Sequence, residues 1–279
     1  LQDQILSVDW DGRHRIDTWL TSYCGADDSV YSRTVGRKWL ISAIARLFRP
    51  GCKVDNMLVL EGEQGAKKST ILRILSYDNF LDGSIDIRSK DGLMALFGKW
   101  IVEFSELEGM NGRTAEQTKA FLSKQDDRIR KPYGRKEEMF KRTCVFAGTT
   151  NKNHYLEDGS GNRRFWPVKA LFAKTKEMEE DRDQIWAEAY QAFMSGEKWW
   201  VEEESDEAKA FKGEQAGRVN HDEFSEEILE YAKGMVLGNG KIVLKITEIW
   251  REIYGGKKDQ LNDRKQKEIA TTLRKLGFN

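Results

Sequence analysis

One short segment constrains this fold most, because it joins a strand-like run to a helical run through a glycine-containing loop. Residues 56–61 form an apolar run of strand length, and residues 68–76 place Ile71, Leu72 and Leu75 at helical spacing. The connecting sequence lies close to the pattern G-x-x-x-x-G-K-[ST], whose backbone N–H groups hold phosphate oxygens. The segment therefore predicts a strand, a phosphate-binding loop and a helix.

The residues of this loop have distinct predicted roles. Lys68 is expected to reach the β- and γ-phosphates of a nucleotide, and Ser69 is expected to hold Mg²⁺. Lys67 departs from the pattern, which has glycine there, and a lysine forced to positive φ would cost about 1 kcal/mol. The predicted nucleotide-binding residues are Gly62, Gln64, Gly65, Ala66, Lys67, Lys68, Ser69 and Thr70.

Two further apolar runs, residues 100–104 and 143–148, carry polar residues at or beyond their ends. Glu103 is a candidate to organise Mg²⁺ and Glu106 to polarise the attacking water, although the sequence leaves these two roles exchangeable. Asn151, at the exit of the third run, is expected to orient the water or the γ-phosphate. Because helical segments separate the strands, the fold class is predicted to be α/β with a mostly parallel sheet.

A basic segment follows the second run. Residues 128–136 contain five positive charges, one tyrosine and no acid. That combination suits a nucleic-acid backbone with one stacking platform, although a solvated loop or contact with another subunit's nucleotide would also explain it. The predicted DNA-binding residues are Arg128, Arg130, Lys131, Tyr133, Arg135 and Lys136.

A pair of arginines, Arg163 and Arg164, stands between a flexible turn and Phe-Trp-Pro at 165–167, which is interpreted as a bulky apolar anchor. Arginine is the favoured stabiliser of charge in phosphoryl transfer and is often supplied by a neighbouring subunit. Either residue is therefore a candidate catalytic group, and the alternative is a salt-bridged loop end.

Length and composition exclude several classes of protein. The chain has 279 residues with equal numbers of basic and acidic side chains, which fits one large and one small globular domain. No apolar run approaches the ~20 residues of a membrane span, and three distant cysteines form neither a disulfide framework nor a metal site. We therefore expect a cytoplasmic protein, and a chain beginning at Leu1 is interpreted as a piece of a longer polypeptide.

The predicted domain organisation has three parts: an N-terminal helical region at 1–52, a P-loop ATPase core at 53–220, and a small, mostly helical C-terminal unit at 221–279. The sequence predicts that residues 1–50 and 172–218 are helical, and it shows three helical patterns separated by Gly-rich turns after about Asp222.

An ordered set of motifs resembles the virulence-associated protein E family of phages and mobile genetic elements. Its most diagnostic strings are Asp-Arg-x-Arg-x-Pro-Tyr-Gly-Arg at 127–135 and Asn-Arg-Arg-Phe-Trp-Pro at 162–167. The set is completed by Asp-Trp-Asp-Gly-Arg at 9–13, the phosphate loop, Trp-Ile-Val-Glu-Phe-Ser-Glu at 100–106 and Gly-Thr-Thr-Asn at 148–151. The resemblance covers roughly residues 8–215.

The resemblance implies an AAA+-like ATPase related to superfamily 3 helicases. By position, Lys68 and Ser69 are the Walker A pair, and Glu103 and Glu106 lie in the Walker B region. Asn151 corresponds to sensor 1, and Arg163 or Arg164 to the arginine finger. The basic segment corresponds to a pre-sensor hairpin that grips single-stranded DNA, and the tail weakly resembles a winged-helix unit.

The sequence therefore predicts an ATP-dependent DNA helicase or translocase of phage or mobile-element replication. It would require ATP and Mg²⁺, form a homo-oligomeric, hexameric ring, and be fused or coupled to a primase or polymerase domain. One alternative is a replication initiator or scaffold that binds nucleotide and DNA with little hydrolysis, as the Lys67 departure favours. The other is a small-molecule P-loop kinase, which the basic segment disfavours.

Overall fold

The three apolar runs that the sequence marks as strands lie side by side in one parallel sheet. Its strands are β1 (Met57–Glu61), β2 (Phe80–Leu81), β3 (Ile101–Phe104), β6 (Val145–Thr150) and β7 (Phe165–Lys169). They are arranged in the order β2-β3-β6-β1-β7, and every neighbouring pair is parallel. The prediction of an α/β fold with a mostly parallel sheet is confirmed.

The computed structural model describes residues 1–83, 85–105, 112–130, 136–151, 155–156, 162–216, 218, 225–235, 243–257 and 260–278. The chain divides into two compact units, Leu1–Arg218 and Val219–Asn279. The helices of the first unit are α1 (Gln2–Leu6), α2 (Trp19–Cys24), α3 (Val30–Phe48), α4 (Lys68–Leu75), α5 (Lys90–Met94), α6 (Gly112–Leu122), α7 (Thr175–Met194) and α8 (Asp206–Ala216). Among the described residues, no helix combines the length and apolar character that a membrane span needs.

The sheet is buried on both faces, which is the normal condition of a parallel sheet. Leu58 and Leu60 of β1 belong to a cluster that includes buried residues of α2, α3, α4 and α7. Met57 and Val59, on the opposite face, belong to a second cluster with Phe121 and residues of β3, β6 and β7. Because β1 is buried on both faces, it holds the loop that follows it on a rigid base.

Strand β7 is a correction to the sequence interpretation, which treats residues 165–167 as an apolar anchor and not as a strand. Pro167 lies in the middle of this strand and cannot donate a backbone hydrogen bond. The structure accepts it because β7 is an edge strand, paired only with β1 within the sheet.

The long predicted helical regions are interrupted. Residues 7–18 between α1 and α2 are not helical, so residues 1–50 form three helices. Residues 172–218 likewise form two helices, because α7 ends before Gly196, whose φ of 85° belongs to the left-handed region.

The basic segment begins inside an antiparallel hairpin. Strand β4 (Asp126–Ile129) pairs with β5 (Glu138–Lys141), with Arg128 opposite Met139. Asp127 and Ile129 are buried, whereas Arg128 and Arg130 are exposed on the other side. Strand alternation therefore directs these two basic side chains to solvent.

The second unit contains three helices in the part of it that the structure describes: α9 (Ser225–Lys233), α10 (Ile246–Glu252) and α11 (Asp263–Lys275). Its core consists of Ile228, Ile249, Trp250, Ile269 and Leu273. The described residues of this unit include no strand, so its resemblance to a winged-helix unit stays a prediction.

Candidate nucleotide-binding site

The predicted phosphate loop lies at the carboxyl end of β1 and leads directly into α4. Gly62 is required there by close packing, because a Cβ at this position would lie 2.1 Å from the carbonyl oxygen of Ala170. Gly65 has φ of 88°, in the left-handed region that favours glycine. The first N–H groups of α4 have no partner within the helix, so this end of α4 favours an anion.

The two adjacent lysines of the loop have different environments. Lys67 is exposed and adopts φ 55° and ψ 32°, a left-handed conformation at the N-cap of α4. Lys68 is 9% exposed, and its ammonium donates hydrogen bonds to the carbonyl oxygens of Gly62 at 2.6 Å and Glu63 at 2.9 Å. The Lys68 charge is thus held inside the turn in which the pattern predicts phosphate.

Glu103 brings three elements of the site together. Its side chain lies at the end of β3 and is completely buried. The hydroxyls of Ser69, from α4, and Thr149, from β6, donate to its Oε1 atom at 2.7 Å and 2.6 Å. Its Oε2 atom is buried and has no hydrogen-bond partner among the described residues.

This arrangement fits the predicted Mg²⁺. A carboxylate oxygen without a partner, next to a serine hydroxyl, is the donor set that a phosphate-bound Mg²⁺ takes from a protein. The described residues hold no group of three or more His, Cys, Asp or Glu side chains suited to a metal. Mg²⁺ bound to phosphates does not need such a group, because it commonly uses only one or two carboxylates. Ser69 and Glu103 are the residues that would hold the ion.

Asn151 lies at the carboxyl ends of the parallel strands, as the phosphate loop does. It follows Thr150, the last residue of β6, whose carbonyl oxygen accepts a hydrogen bond from the N–H of Gly62 at 3.1 Å. The predicted sensor residue is therefore one position beyond a direct backbone contact with the loop.

Arg163 and Arg164 lie at the opposite end of the strands, at the amino end of β7. They belong to a 3₁₀ turn, Asn162–Arg164, that precedes β7, and Phe165 at the start of β7 pairs with Met57 at the start of β1. A five-residue strand separates its two ends by about 13 Å, so neither arginine lies at the phosphate loop of its own chain. Arg163 contacts the Glu203 carboxylate, and Arg164 donates to the Ser123 hydroxyl at 2.8 Å.

Several predicted site residues fall outside the described part of the chain, namely Glu106, Lys131, Tyr133 and Arg135. Of the predicted DNA-binding residues, Arg128, Arg130 and Lys136 are described, and all three are exposed. The assignment of all these residues to DNA or catalysis stays a prediction.

The structure adds polar residues that the sequence interpretation does not select. Thr149 belongs to the Gly-Thr-Thr-Asn string, but only its contact with Glu103 identifies it as part of the site. The carboxylate of Glu61, 2% exposed at the end of β1, accepts hydrogen bonds from Tyr155 at 2.9 Å and from Arg218 at 2.8 and 2.9 Å. No sequence signal points to Arg218, because it lies 157 residues from Glu61.

The fold and site together define an α/β protein whose parallel sheet is compatible with a P-loop-like core. A family model for the virulence-associated protein E-like domain matches residues 5–218. The chain belongs to that family. No curated protein matches the chain.

Two solved structures of the C-terminal region of NrS-1 have a similar fold. The apo A form has a TM-score of 0.52 and 14% identity, and the match covers 96% of this chain and 64% of that one. A second apo structure has a TM-score of 0.50 and 15% identity, with 96% and 65% covered. This chain thus spans less than two thirds of those chains, and at this identity the likeness shows the fold alone.

Proposed function

We propose that this chain is the ATP-dependent DNA helicase or translocase domain of a phage or mobile-element replication protein. ATP would be hydrolysed between the subunits of a homo-oligomeric, hexameric ring coupled to a primase or polymerase domain. Family membership and the α/β core support this proposal.

The observation that carries the proposal is the set of hydrogen bonds at the buried Glu103 carboxylate. Ser69 and Thr149 occupy one oxygen of this buried carboxylate, and its other oxygen has no hydrogen-bond partner among the described residues. Lys68, one residue before Ser69, lies inside the loop turn. A cation held here would neutralise phosphate charge, while Lys68 binds the β- and γ-phosphates.

The position of the paired arginines favours a site shared between subunits. Because Arg163 and Arg164 lie at the amino end of β7 and the phosphate loop lies at the carboxyl end of β1, either arginine would act on a neighbouring subunit's nucleotide. The ion pair between Arg163 and Glu203 is easily broken, because both side chains are exposed and exposed ion pairs stabilise by less than about 1 kcal/mol.

The exposed basic side chains at the β4–β5 hairpin support contact with single-stranded DNA. Arg128, Arg130 and Lys136 are all exposed, and cationic side chains of this kind bind the phosphate backbone with strong salt dependence.

The strained backbone of Lys67 supports a second candidate, a replication initiator or scaffold that binds nucleotide and DNA with little hydrolysis. A residue held in the left-handed region costs free energy, and a detuned loop would bind nucleotide yet turn it over slowly. Replacing Lys67 with glycine separates the candidates, because a large rise in turnover would favour the scaffold.

The primary test is ATP hydrolysis at low salt, with and without single-stranded DNA, over a range of protein concentrations. The helicase proposal expects stimulation by DNA that rises steeply with concentration, because the arginine comes from the next subunit. Nucleotide binding without turnover under every condition would favour the scaffold, and rates unchanged across a panel of DNAs would favour a small-molecule kinase.

The matched variants are Lys68→Ala and Lys176→Ala. Removing the Lys68 ammonium should lower turnover by about 100-fold or more, as expected for a group that stabilises developing phosphate charge. Lys176 is a surface lysine of α7, and its loss should leave the rate unchanged. Near wild-type turnover in Lys68→Ala would overturn the proposal.

A further inference from the structure

A cavity of about 400 Å³ lies at the carboxyl ends of β1 and β7, within the first unit. The ends of β1 and β7 contribute Glu61, Val168 and Lys169 to its wall, and the start of α3 contributes Ser29 and Tyr31. Glu61 is covalently joined to Gly62, the first residue of the phosphate loop. The wall of the cavity therefore includes the last residue of β1, which leads directly into the phosphate loop.

Tyr31 is the unexplained group in this cavity. The residue is 7% exposed, and its hydroxyl is buried without a hydrogen-bond partner among the described residues. Its ring is fixed against Phe211, with ring centroids 4.7 Å apart in an edge-on arrangement. A buried hydroxyl without a partner costs about 1–3 kcal/mol, so a ligand that bonds to it recovers free energy.

The Tyr31 hydroxyl is also a neutral group. Burial raises the pKa of Tyr31 well above its ordinary value of 10.0, while the nearby Arg218 acts in the opposite direction. It therefore stays a phenol at physiological pH and can donate or accept one hydrogen bond.

The charges around the cavity do not favour a second polyanion. Arg218 is bonded to the carboxylates of both Glu61 and Glu214, so its charge is already taken up and one negative charge is left in excess. Asp27 adds an acid and Lys169 a base, while Pro167 and Val168 supply apolar surface. A wall of this mixed kind, with hydroxyls at the start of α3, suits a neutral, flat group that carries hydrogen-bond donors and acceptors.

We propose that this cavity holds the nucleoside part of the bound nucleotide, and that the Tyr31 hydroxyl hydrogen-bonds to it. The inference rests on the proposed function, because it requires the phosphates to bind at residues 62–69. It makes Tyr31 a residue that distinguishes a nucleotide from a bare polyphosphate.

The test compares the affinity of the chain for ADP and for inorganic pyrophosphate, both with Mg²⁺, by calorimetry. The wild-type chain should bind ADP more tightly, because only ADP carries a nucleoside. Tyr31→Phe keeps the ring against Phe211 and removes only the hydroxyl, so it should weaken ADP binding about 3- to 10-fold and leave pyrophosphate binding unchanged. The matched control, Tyr190→Phe, alters a tyrosine that does not line the cavity and should change neither affinity.

The outcomes separate the two proposals. Equal wild-type affinities for ADP and pyrophosphate would overturn the nucleoside site while leaving phosphate binding at the loop intact, and this comparison needs no variant. A Tyr31→Phe variant that binds ADP as tightly as the wild type, or loses both ligands equally, would overturn the role of Tyr31. A wild-type chain that binds neither ligand would overturn the proposed function and the nucleoside site together.

Discussion

At the residue scale, Lys67 holds a backbone conformation that favours glycine. Its φ of 55° places an L-residue with a Cβ in the left-handed region, and the penalty is about 1 kcal/mol. The side chain is exposed, so no burial offsets this cost in the isolated chain. The extra positive charge beside Lys68 is instead available to a phosphate group.

The variant Lys67→Gly should therefore raise the free energy of unfolding of the nucleotide-free protein by about 0.5–1 kcal/mol. The measurement is urea denaturation monitored by tryptophan fluorescence. Lys67→Ala is the matched control, because it removes the same charge and keeps the strained conformation. An equal gain from both variants would show that charge repulsion, and not backbone strain, is the destabilising term.

At the element scale, one buried ion pair anchors the β4–β5 hairpin. The guanidinium of Arg142, just after β5, donates to both carboxylate oxygens of Asp127 at 2.6 and 2.9 Å and to the carbonyl oxygen of Phe121 at 2.6 Å. Both side chains are nearly completely buried, and the Arg142 guanidinium stacks on the Phe121 ring at 4.1 Å. The base of the hairpin is therefore fixed to α6.

Replacing Arg142 with leucine should cost about 3–5 kcal/mol of folding free energy, because it leaves the Asp127 carboxylate buried without its cation. Urea denaturation measures this cost. The double variant Asp127→Leu with Arg142→Leu should be substantially more stable than the single one, since no buried charge is then unpaired. A single variant that loses less than about 1 kcal/mol would contradict this account of the hairpin.

At the scale of the whole molecule, the N-terminal helices and the sheet form one core. Buried residues of α2 and α3 belong to the same cluster as Leu58 and Leu60 of β1. All three cysteines lie in the first unit, Leu1–Arg218. Burial raises the pKa of Cys24 to about 12 and that of Cys144 to about 11, so both thiols stay protonated near neutral pH and are shielded.

We expect a chain ending at Arg218 to fold without the second unit and to keep Cys24 and Cys144 unreactive toward a disulfide reagent at pH 8. The reason is that the first unit has its own core and Arg218 supplies the buried partner of Glu61. Thiol titration against time measures the protection. The control chain ends at Ala216 and lacks Arg218, so it should label faster through more frequent opening. Rapid labelling of both chains would show that the second unit is needed for folding.

Local patterns predict much of the core. The strand–loop–helix segment at residues 56–76 and the apolar runs that became β3 and β6 follow from local patterns of apolar residues and glycine. Strand β7 escapes such patterns because Pro167 argues against a strand, and only the edge position of β7 in the assembled sheet removes that objection. The breaks in the N-terminal helices, by contrast, coincide with local signals, because Gly12 has φ of 82° and Gly25 ends α2 in the left-handed region.

The site divides in the same way. The sequence by itself determines the order of the loop residues, since Gly62, Lys68 and Ser69 belong to one short segment whose geometry is local. Only the tertiary structure decides that Glu103 accepts hydrogen bonds from Ser69 and Thr149 and that Arg218 contacts Glu61. It also decides that Arg163 lies at the amino end of β7, away from the phosphate loop. The physical reason is that these contacts join separate elements, and their positions depend on strand order and burial, which no local spacing specifies.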